Sequence, residues 1–370
     1  MDSLLVYGSY GYIGSRIAAK AVSRGWSPVV AGRDRSNVTR QADALGVERR
    51  VFTLAEPAGK QVLTDSLEDV EAVLNCAGPF VETAEPLVEA CLETGTDYLD
   101  VTGECPVFER LRQRDQRARD AGVTVLPGVG FDVVPTDCLA AFLDGVLPEA
   151  DRLHLGKKSR SSLSRGTART ALEGLCEGGV IRRNGRLLRV PVAFRSREID
   201  FGHGPEHAVT VPFGDVVTAA YDTGLESVEV YVAAPPWTTK AMQALDSVSS
   251  VVASEPVRRL LERAIDSTFD GPGDRELATD RAIVWGEVED DAGRRVGARL
   301  ETPNPYALTV ETALAASERI DDADDGFQTP ATAFGSDFIL EFDARCEVLS
   351  APALENDGAQ QSLWQVASNS

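Results

Sequence analysis

The sequence predicts an α/β protein: a doubly wound parallel sheet, followed by a second α+β domain with a mostly antiparallel sheet. Three observations carry this. Short apolar runs alternate with helical segments over residues 1–135. A glycine-spaced loop, YGSYGYIGSR, follows the first run at residues 7–16. Beyond about Asp137 the alternation gives way to longer segments of mixed polarity. Short apolar strands separated by helices must lie parallel, with both faces covered.

Taken in order, Leu4 to Tyr7 reads as the first strand and Ile13 to Arg24 as a helix closed by Gly25. Val29 to Ala31 is the second strand, and Ser36 caps a helix to Leu45. Val51 to Leu54 is the third strand, and a short helix spans Gly59 to Leu67. Ala72 to Cys76 is the fourth strand, and Thr83 to Glu93 is a helix ending at Gly95. Tyr98 to Val101 is the fifth strand, Val107 to Ala121 a charged helix, and Val123 to Leu126 the sixth strand. This is the order of a Rossmann-like domain.

Residues 136–328 then read as a substrate or dimerisation domain. Its strands fall at 152–157, 187–192, 207–211, 228–232, 282–289 and 295–301. Its helices fall at 167–176, 238–249, 256–267 and 305–319. The segment Trp237 to Ile265 holds two amphipathic helices, which suit a core covering or a homodimer contact. Residues 351–370 are rich in Asn, Gln and Ser and read as a flexible tail.

Composition narrows the function. The formal net charge of −21 argues against nucleic acid and anionic membrane as partners. Five lysines stand against 32 arginines, and the excess of acid is diffuse, as in proteins of high-salt organisms. No apolar run reaches the length of a membrane helix, and the N-terminus runs straight into a strand, so a cytoplasmic location is expected. The six cysteines form no C-x-x-C pair, and His203 and His207 are separated by Gly204-Pro205, so no metal site is expected.

The glycine loop lies between a strand and a helix, the context a dinucleotide site needs. Gly8 permits the tight turn, Gly11 lets backbone approach a pyrophosphate, and Gly14 lets the helix pack closely. Free N–H groups of the first helical turn favour phosphate. Ser9, Tyr10, Tyr12 and Ile13 complete the loop. The second strand ends in VVAGRD, with Gly32 and Arg33 at the tip where an NAD site carries an acid. A guanidinium there suits a 2′-phosphate, so NADP is favoured over NAD, with Arg35 and Arg40 as further phosphate partners. Asn75, Cys76, Ala77 and Gly78 end the fourth strand with small side chains that leave room for the second ribose and nicotinamide.

Further blocks, "AGRD", "NCAGPFVETAEPLVEACLETGTDYLDVTGE" and "PGVGFDVVPTD", carry a resemblance beyond the loop. Together with it they resemble the saccharopine dehydrogenase-like oxidoreductases, most of all the trans-acting enoyl reductase branch. The resemblance extends through Gly166–Leu175, Val211–Gly224 and Gly326–Gly335. It implies a Rossmann domain, an α+β second domain, and a C-terminal helix, about 329–345, returning to the first. Thr329 would cap that helix and Pro330 begin it.

Hydride transfer needs an oriented nicotinamide and, where charge develops, an acid. No Tyr-x-x-x-Lys pair occurs. Candidate donors are Tyr98, Asp132, Glu104 and the pair Lys157-Lys158. Each has a plainer role: Tyr98 as packing beside the fifth strand, the lysines within a basic surface run, Lys157 to Arg169. Asp137 reads as the cap of the following helix. The substrate would be an enoyl or lipid-type C=C or an imine. The alternative is an NADP-binding regulatory or trans-acting partner with little turnover of its own.

Overall fold

The computed structural model describes residues 3–54, 59–246 and 254–350. The chain divides into two units, one formed by residues 1–133 with 306–334, the other by 134–305 with 335–370.

The first unit is a seven-stranded parallel sheet. β1 (Leu4–Tyr7), β2 (Val29–Gly32) and β4 (Ala72–Asn75) are buried at every residue, which is why they read as unbroken apolar runs. β3 (Arg49–Val51), β5 (Asp97–Asp100) and β6 (Thr124–Leu126) complete the N-terminal set. The order is return strand (Gly326–Phe327), β6, β5, β4, β1, β2, β3. It therefore reverses between β1 and β4, where Tyr7 pairs with Asn75. In open parallel sheets that reversal opens the crevice that ligands use.

Six helices of the N-terminal stretch, among the described residues, accompany the sheet. They are α1 (Tyr12–Ser23), α2 (Arg35–Leu45), α3 (Gly59–Asp65), α4 (Phe80–Thr94) and the pair α5 (Cys105–Arg112) and α6 (Asp115–Ala121), which replaces one expected charged helix. The break falls at Gln113–Arg114, where Arg114 turns its guanidinium onto Glu85 and Glu89 of α4. α2 starts one residue before Ser36, because Asp34 is its cap and accepts from the N–H groups of Ser36 (2.9 Å) and Asn37 (3.0 Å). α4 starts three residues earlier than its apolar pattern suggests, because the Glu104 carboxylate accepts from Phe80 N–H (3.0 Å) and Val81 N–H (2.9 Å). β3 lies two residues before its expected start, paired to β2 through Arg49, Arg50 and Val51.

The chain returns to this unit earlier than the 329–345 helix predicts. Helix Pro305–Glu318 brings Thr309 and Thr312 against the β6 exit. Phe131 N–H donates to Thr309 Oγ1 (3.0 Å), and Thr312 Oγ1 donates to the Val129 carbonyl (2.7 Å). The Asp115 carboxylate then accepts from Phe327 N–H (2.8 Å), fixing the return strand beside β6. Only the short helix Pro330–Phe334 follows, and Thr332 N–H donates to Thr329 Oγ1 (3.3 Å) as a cap. The chain beyond Phe334 belongs to the second unit.

The second unit carries a nine-stranded sheet. Its centre is Ser227–Ala233, Ala150–Ser159, Arg281–Asp290 and Arg295–Pro303. Among the described residues, all its pairings are antiparallel except Ala150–Ser159 with Ser227–Ala233, a parallel pair amid the expected antiparallel ones. Helices Val134–Val146 and Asp215–Thr223 pack on one another and on this sheet. Asp137 does not cap: the helix begins at Val134, so Asp137 lies buried inside its first turn. The strands at 179–183, 196–200 and 345–350 and the helix at 215–223 escape sequence reading. The expected helix end at 247–249 and the tail at 351–370 lie outside the described residues.

Candidate cofactor site

The glycine loop sits at the reversal point, and each glycine has its own physical reason. Gly8 has φ of +75°, and a Cβ there would stand 2.8 Å from Ala77 N. The loop therefore rests directly on the exit of β4. A Cβ on Gly14 would fall 2.5 Å from the Gly8 carbonyl oxygen, so α1 packs against the loop itself. Gly11 differs: a Cβ there would meet only the Gly8 oxygen, at 3.2 Å. It is the N-cap of α1 with no side-chain capping bond. The N–H groups of the first turn lack intrahelical acceptors by geometry. This is a cradle that a side chain would fill, and its donors suit a pyrophosphate.

The loop is tied down on its other side. Gly8 N–H (2.9 Å) and Ser9 N–H (3.1 Å) both donate to the Ala31 carbonyl of β2. Ser9 is fully buried, and its hydroxyl donates to Gln41 Oε1 (2.6 Å) while Gln41 Nε2 donates to the Ser9 carbonyl (2.7 Å). The Tyr10 ring packs against Gly32 of β2, where a Cβ would stand 2.6 Å from Tyr10 Cε1. Tyr12 meets Tyr306 edge-on at 5.1 Å, and the Arg16 guanidinium lies 3.9 Å over the Tyr12 ring. Ile13 is half-buried.

Arg33 is exposed at the β2 tip and, like Arg35, makes no ion pair with a described residue. Most arginines of the first unit do pair with acids, so these two cations stand out as available for a phosphate. Arg40 is less available, since it donates to Asn37 Oδ1 (2.7 Å). The Tyr7 phenol is pushed up to about 12, mainly by burial and also by Tyr10, with Arg33 opposing.

At the β4 exit, a buried polar chain holds the small residues. Ala77 N–H donates to Asn75 Oδ1 (3.0 Å). Asn75 Nδ2 donates to Thr83 Oγ1 (3.1 Å) and to the Tyr98 hydroxyl (3.2 Å). Tyr98 donates in turn to Asp100 Oδ2 (2.8 Å), whose other oxygen accepts from Thr102 N–H and Gly128 N–H, each 2.9 Å. Burial pushes the Asp100 carboxyl up to about 6 against those three hydrogen bonds. Burial, then the Asp100 charge, raises the Cys76 thiol, which leaves it an unreactive filler. Gly78 is followed by a cis bond to Pro79.

The candidate proton donors part company here. Tyr98 is fully buried, and burial and Asp100 raise its hydroxyl well above the ordinary value, so it is a structural link. Lys157 lies in the second unit, buried, with Nζ donating to Asp215 Oδ2 (2.9 Å) and 4.4 Å from the Phe213 ring centre. Thr136 Oγ1 donates to the other Asp215 oxygen. Lys158 pairs with Glu206 and Arg165 with Asp270, so much of the basic run is ordinary salt-bridged surface. Asp132 is half-buried beside Gly103, where a Cβ would stand 3.2 Å from its Oδ2. Glu104 is occupied in capping α4. Among the described residues, no group of His, Cys, Asp and Glu is arranged to hold a metal, and no helix is long and apolar enough to cross a membrane.

Sequence reading missed Gln41, Thr83, Asp100 and Asp215. Asp100 could have been found as a lone acid ending a buried strand; Gln41 carries no local signal, because its partner is 32 residues away.

Comparison with known proteins bears on the same stretch. The model of the saccharopine dehydrogenase NADP binding domain matches residues 4–126. A human saccharopine dehydrogenase-like oxidoreductase is 26% identical over 205 residues, covering 49% of this chain and 47% of its own. A Mycobacterium tuberculosis protein named as a trans-acting enoyl reductase is 29% identical over 185 residues, covering 46% of this chain and 44% of its own. The chain thus spans about half the length of the curated relatives it matches. Among solved structures, apo saccharopine dehydrogenase (L-Glu forming) from Saccharomyces cerevisiae matches with a TM-score of 0.63 at 13% identity. That match covers 95% of this chain and 100% of the other, and is a likeness of fold. Since the glycine cradle, the sheet reversal and the family match fall on one stretch, residues 4–126 form an NADP-binding domain of the saccharopine dehydrogenase type.

Proposed function

We propose that this chain is an NADP-dependent oxidoreductase that transfers hydride to an enoyl or lipid-type C=C, or to an imine. The observation that carries the reading is the cradle at Gly11 with unpaired Arg33 at the β2 tip. Bound NADPH would supply the hydride. The N–H groups of the first turn of α1 would hold the pyrophosphate in the space that Gly11 leaves open, and Arg33 the 2′-phosphate. Asn75, Cys76, Ala77 and Gly78 would leave room for the nicotinamide end. Asp132, half-buried beside Gly103 just after β6, would deliver the proton. The relatives' names favour an enoyl or saccharopine-type substrate.

A second reading has its own support. The commitment of Tyr98 and Lys157 to buried partners suits an NADP-binding partner protein with little turnover. Titration with NADPH and NADH at high salt, suited to the acidic composition, tests the first step. Oxidation is then followed with enoyl thioesters, polyprenyl lipids and keto acid–amino acid pairs. Turnover of one class supports the enzyme; tight NADPH binding without turnover supports the partner protein. Preference for NADH refutes the role of Arg33.

A further inference from the structure

We infer that Gln41 is a positioning residue that sets the preference for NADPH by closing the Arg33 turn onto the glycine loop. The inference rests on the NADP reading above. Its geometry is local to the first unit. Gly8 and Ser9 hold the chain at Ala31, just before the turn, through two N–H bonds to one carbonyl. Gln41 holds it just after, through the reciprocal pair with Ser9 at 2.6 and 2.7 Å. Residues 32–40 are thereby bracketed, with Ser9 bonded at both ends and Gly8 adding a second bond at Ala31. Arg33 and Arg35, the unpaired cations, lie inside that bracket.

Inside the bracket, Asp34 caps α2 and makes the turn continuous with a rigid helix, so a constraint at Gln41 reaches the arginines. The Tyr10 ring packs against Gly32, the residue before Arg33. Only one orientation of the Gln41 amide satisfies both bonds, since its oxygen must face the hydroxyl and its nitrogen the carbonyl. Ser9 is fully buried, so losing Gln41 leaves its hydroxyl and carbonyl short of a partner. NADH needs only the pyrophosphate cradle, whereas NADPH needs cradle and arginines at a fixed separation. Loss of the bracket therefore acts on the 2′-phosphate selectively.

Gln41→Met keeps the side-chain length and removes both bonds. Dissociation constants for NADPH and NADH are measured by fluorescence on wild type, Gln41→Met and Arg33→Ala, with thermal unfolding in parallel. Wild-type preference for NADPH tests the NADP reading itself; preference for NADH overturns that reading without reference to Gln41. Given that preference, Gln41→Met should weaken NADPH by about tenfold and NADH by less than about twofold, a selective loss of the kind expected for Arg33→Ala. Equal weakening of both cofactors, or a lowered unfolding temperature with unchanged NADPH affinity, would mark Gln41 as a purely structural contact and overturn the inference.

Discussion

Replacing Gly11 with alanine should separate cofactor binding from stability, and Gly14 is the control. At Gly11 the new methyl meets one atom at 3.2 Å, and the residue's φ of −67° and ψ of 171° are ordinary for alanine. Losing glycine at an N-cap costs about 0.5–1 kcal/mol, partly offset by about 0.4–1 kcal/mol from the stiffer unfolded chain. The unfolding midpoint should therefore move by no more than about 2–4 °C. The methyl nevertheless occupies the cradle, and NADPH affinity should fall at least about tenfold, or about 1.4 kcal/mol. At Gly14 the methyl would stand 2.5 Å from the Gly8 carbonyl oxygen, a backbone atom already holding Gly11 N–H. Overpacking of that kind costs about 1–3 kcal/mol or more. Differential scanning fluorimetry and NADPH titration on both variants give the comparison. Gly11→Ala with wild-type affinity, or Gly14→Ala with wild-type stability, would refute the reading of the loop.

Arg33→Ala should weaken NADPH by about 1.5–3 kcal/mol, the scale of hydrogen bonds to a charged group, and leave NADH within about twofold in the same titration. Tyr98→Phe leaves Asn75 and Asp100 each short of a buried partner, so denaturant unfolding should show a loss of about 1–3 kcal/mol; a stable variant without turnover would instead make Tyr98 catalytic. Lys157→Ala strands the buried Asp215 carboxylate and should destabilise by about 3–5 kcal/mol. Asp97 is held up at about 6, by burial first and by Asp321 and Asp325. Its folded value lies above the unfolded one, so its cost grows as pH rises from about 4 to 6 and is complete above that. Asp97→Asn, which keeps an acceptor for Thr124 N–H, should raise stability at pH 7 to 8 by about 1 kcal/mol after discounting for partial exposure. The gain should vanish below about pH 4, as melts across pH would show.

The parallel half of the fold was legible because its strands are buried on both faces and its turns use glycine. Leu4–Tyr7 needs no partner to read as a strand. The errors came where a distant residue decides. Glu104 extends α4 backward to Phe80, and no pattern within 80–94 announces it. The two-residue return strand has no periodicity; its place depends on Asp115 and on β6. In the second unit, exposed strands such as Ser196–Asp200 carry charge on much of their length and escape an apolar-run search. The glycine loop and its place between β1 and α1 were readable from spacing. Its support was not, since Gln41 and Asp100 act across the fold. The candidate acids misled for a related reason: a buried tyrosine or lysine looks identical in sequence to a reactive one.

The late return of residues 306–334 also governs how the protein is made. β6 leaves the ribosome about 200 residues before the strand that pairs with its outer edge. At about 5–20 residues per second, that edge waits roughly 10–40 s. During that time Asp115 lacks the N–H it later accepts, and the β6 backbone is open to other strands. A recombinant piece cut at residue 126, where the family match ends, would keep that open edge permanently. A fragment meant to report on cofactor binding therefore needs residues 306–334 supplied in trans or fused back by a short linker.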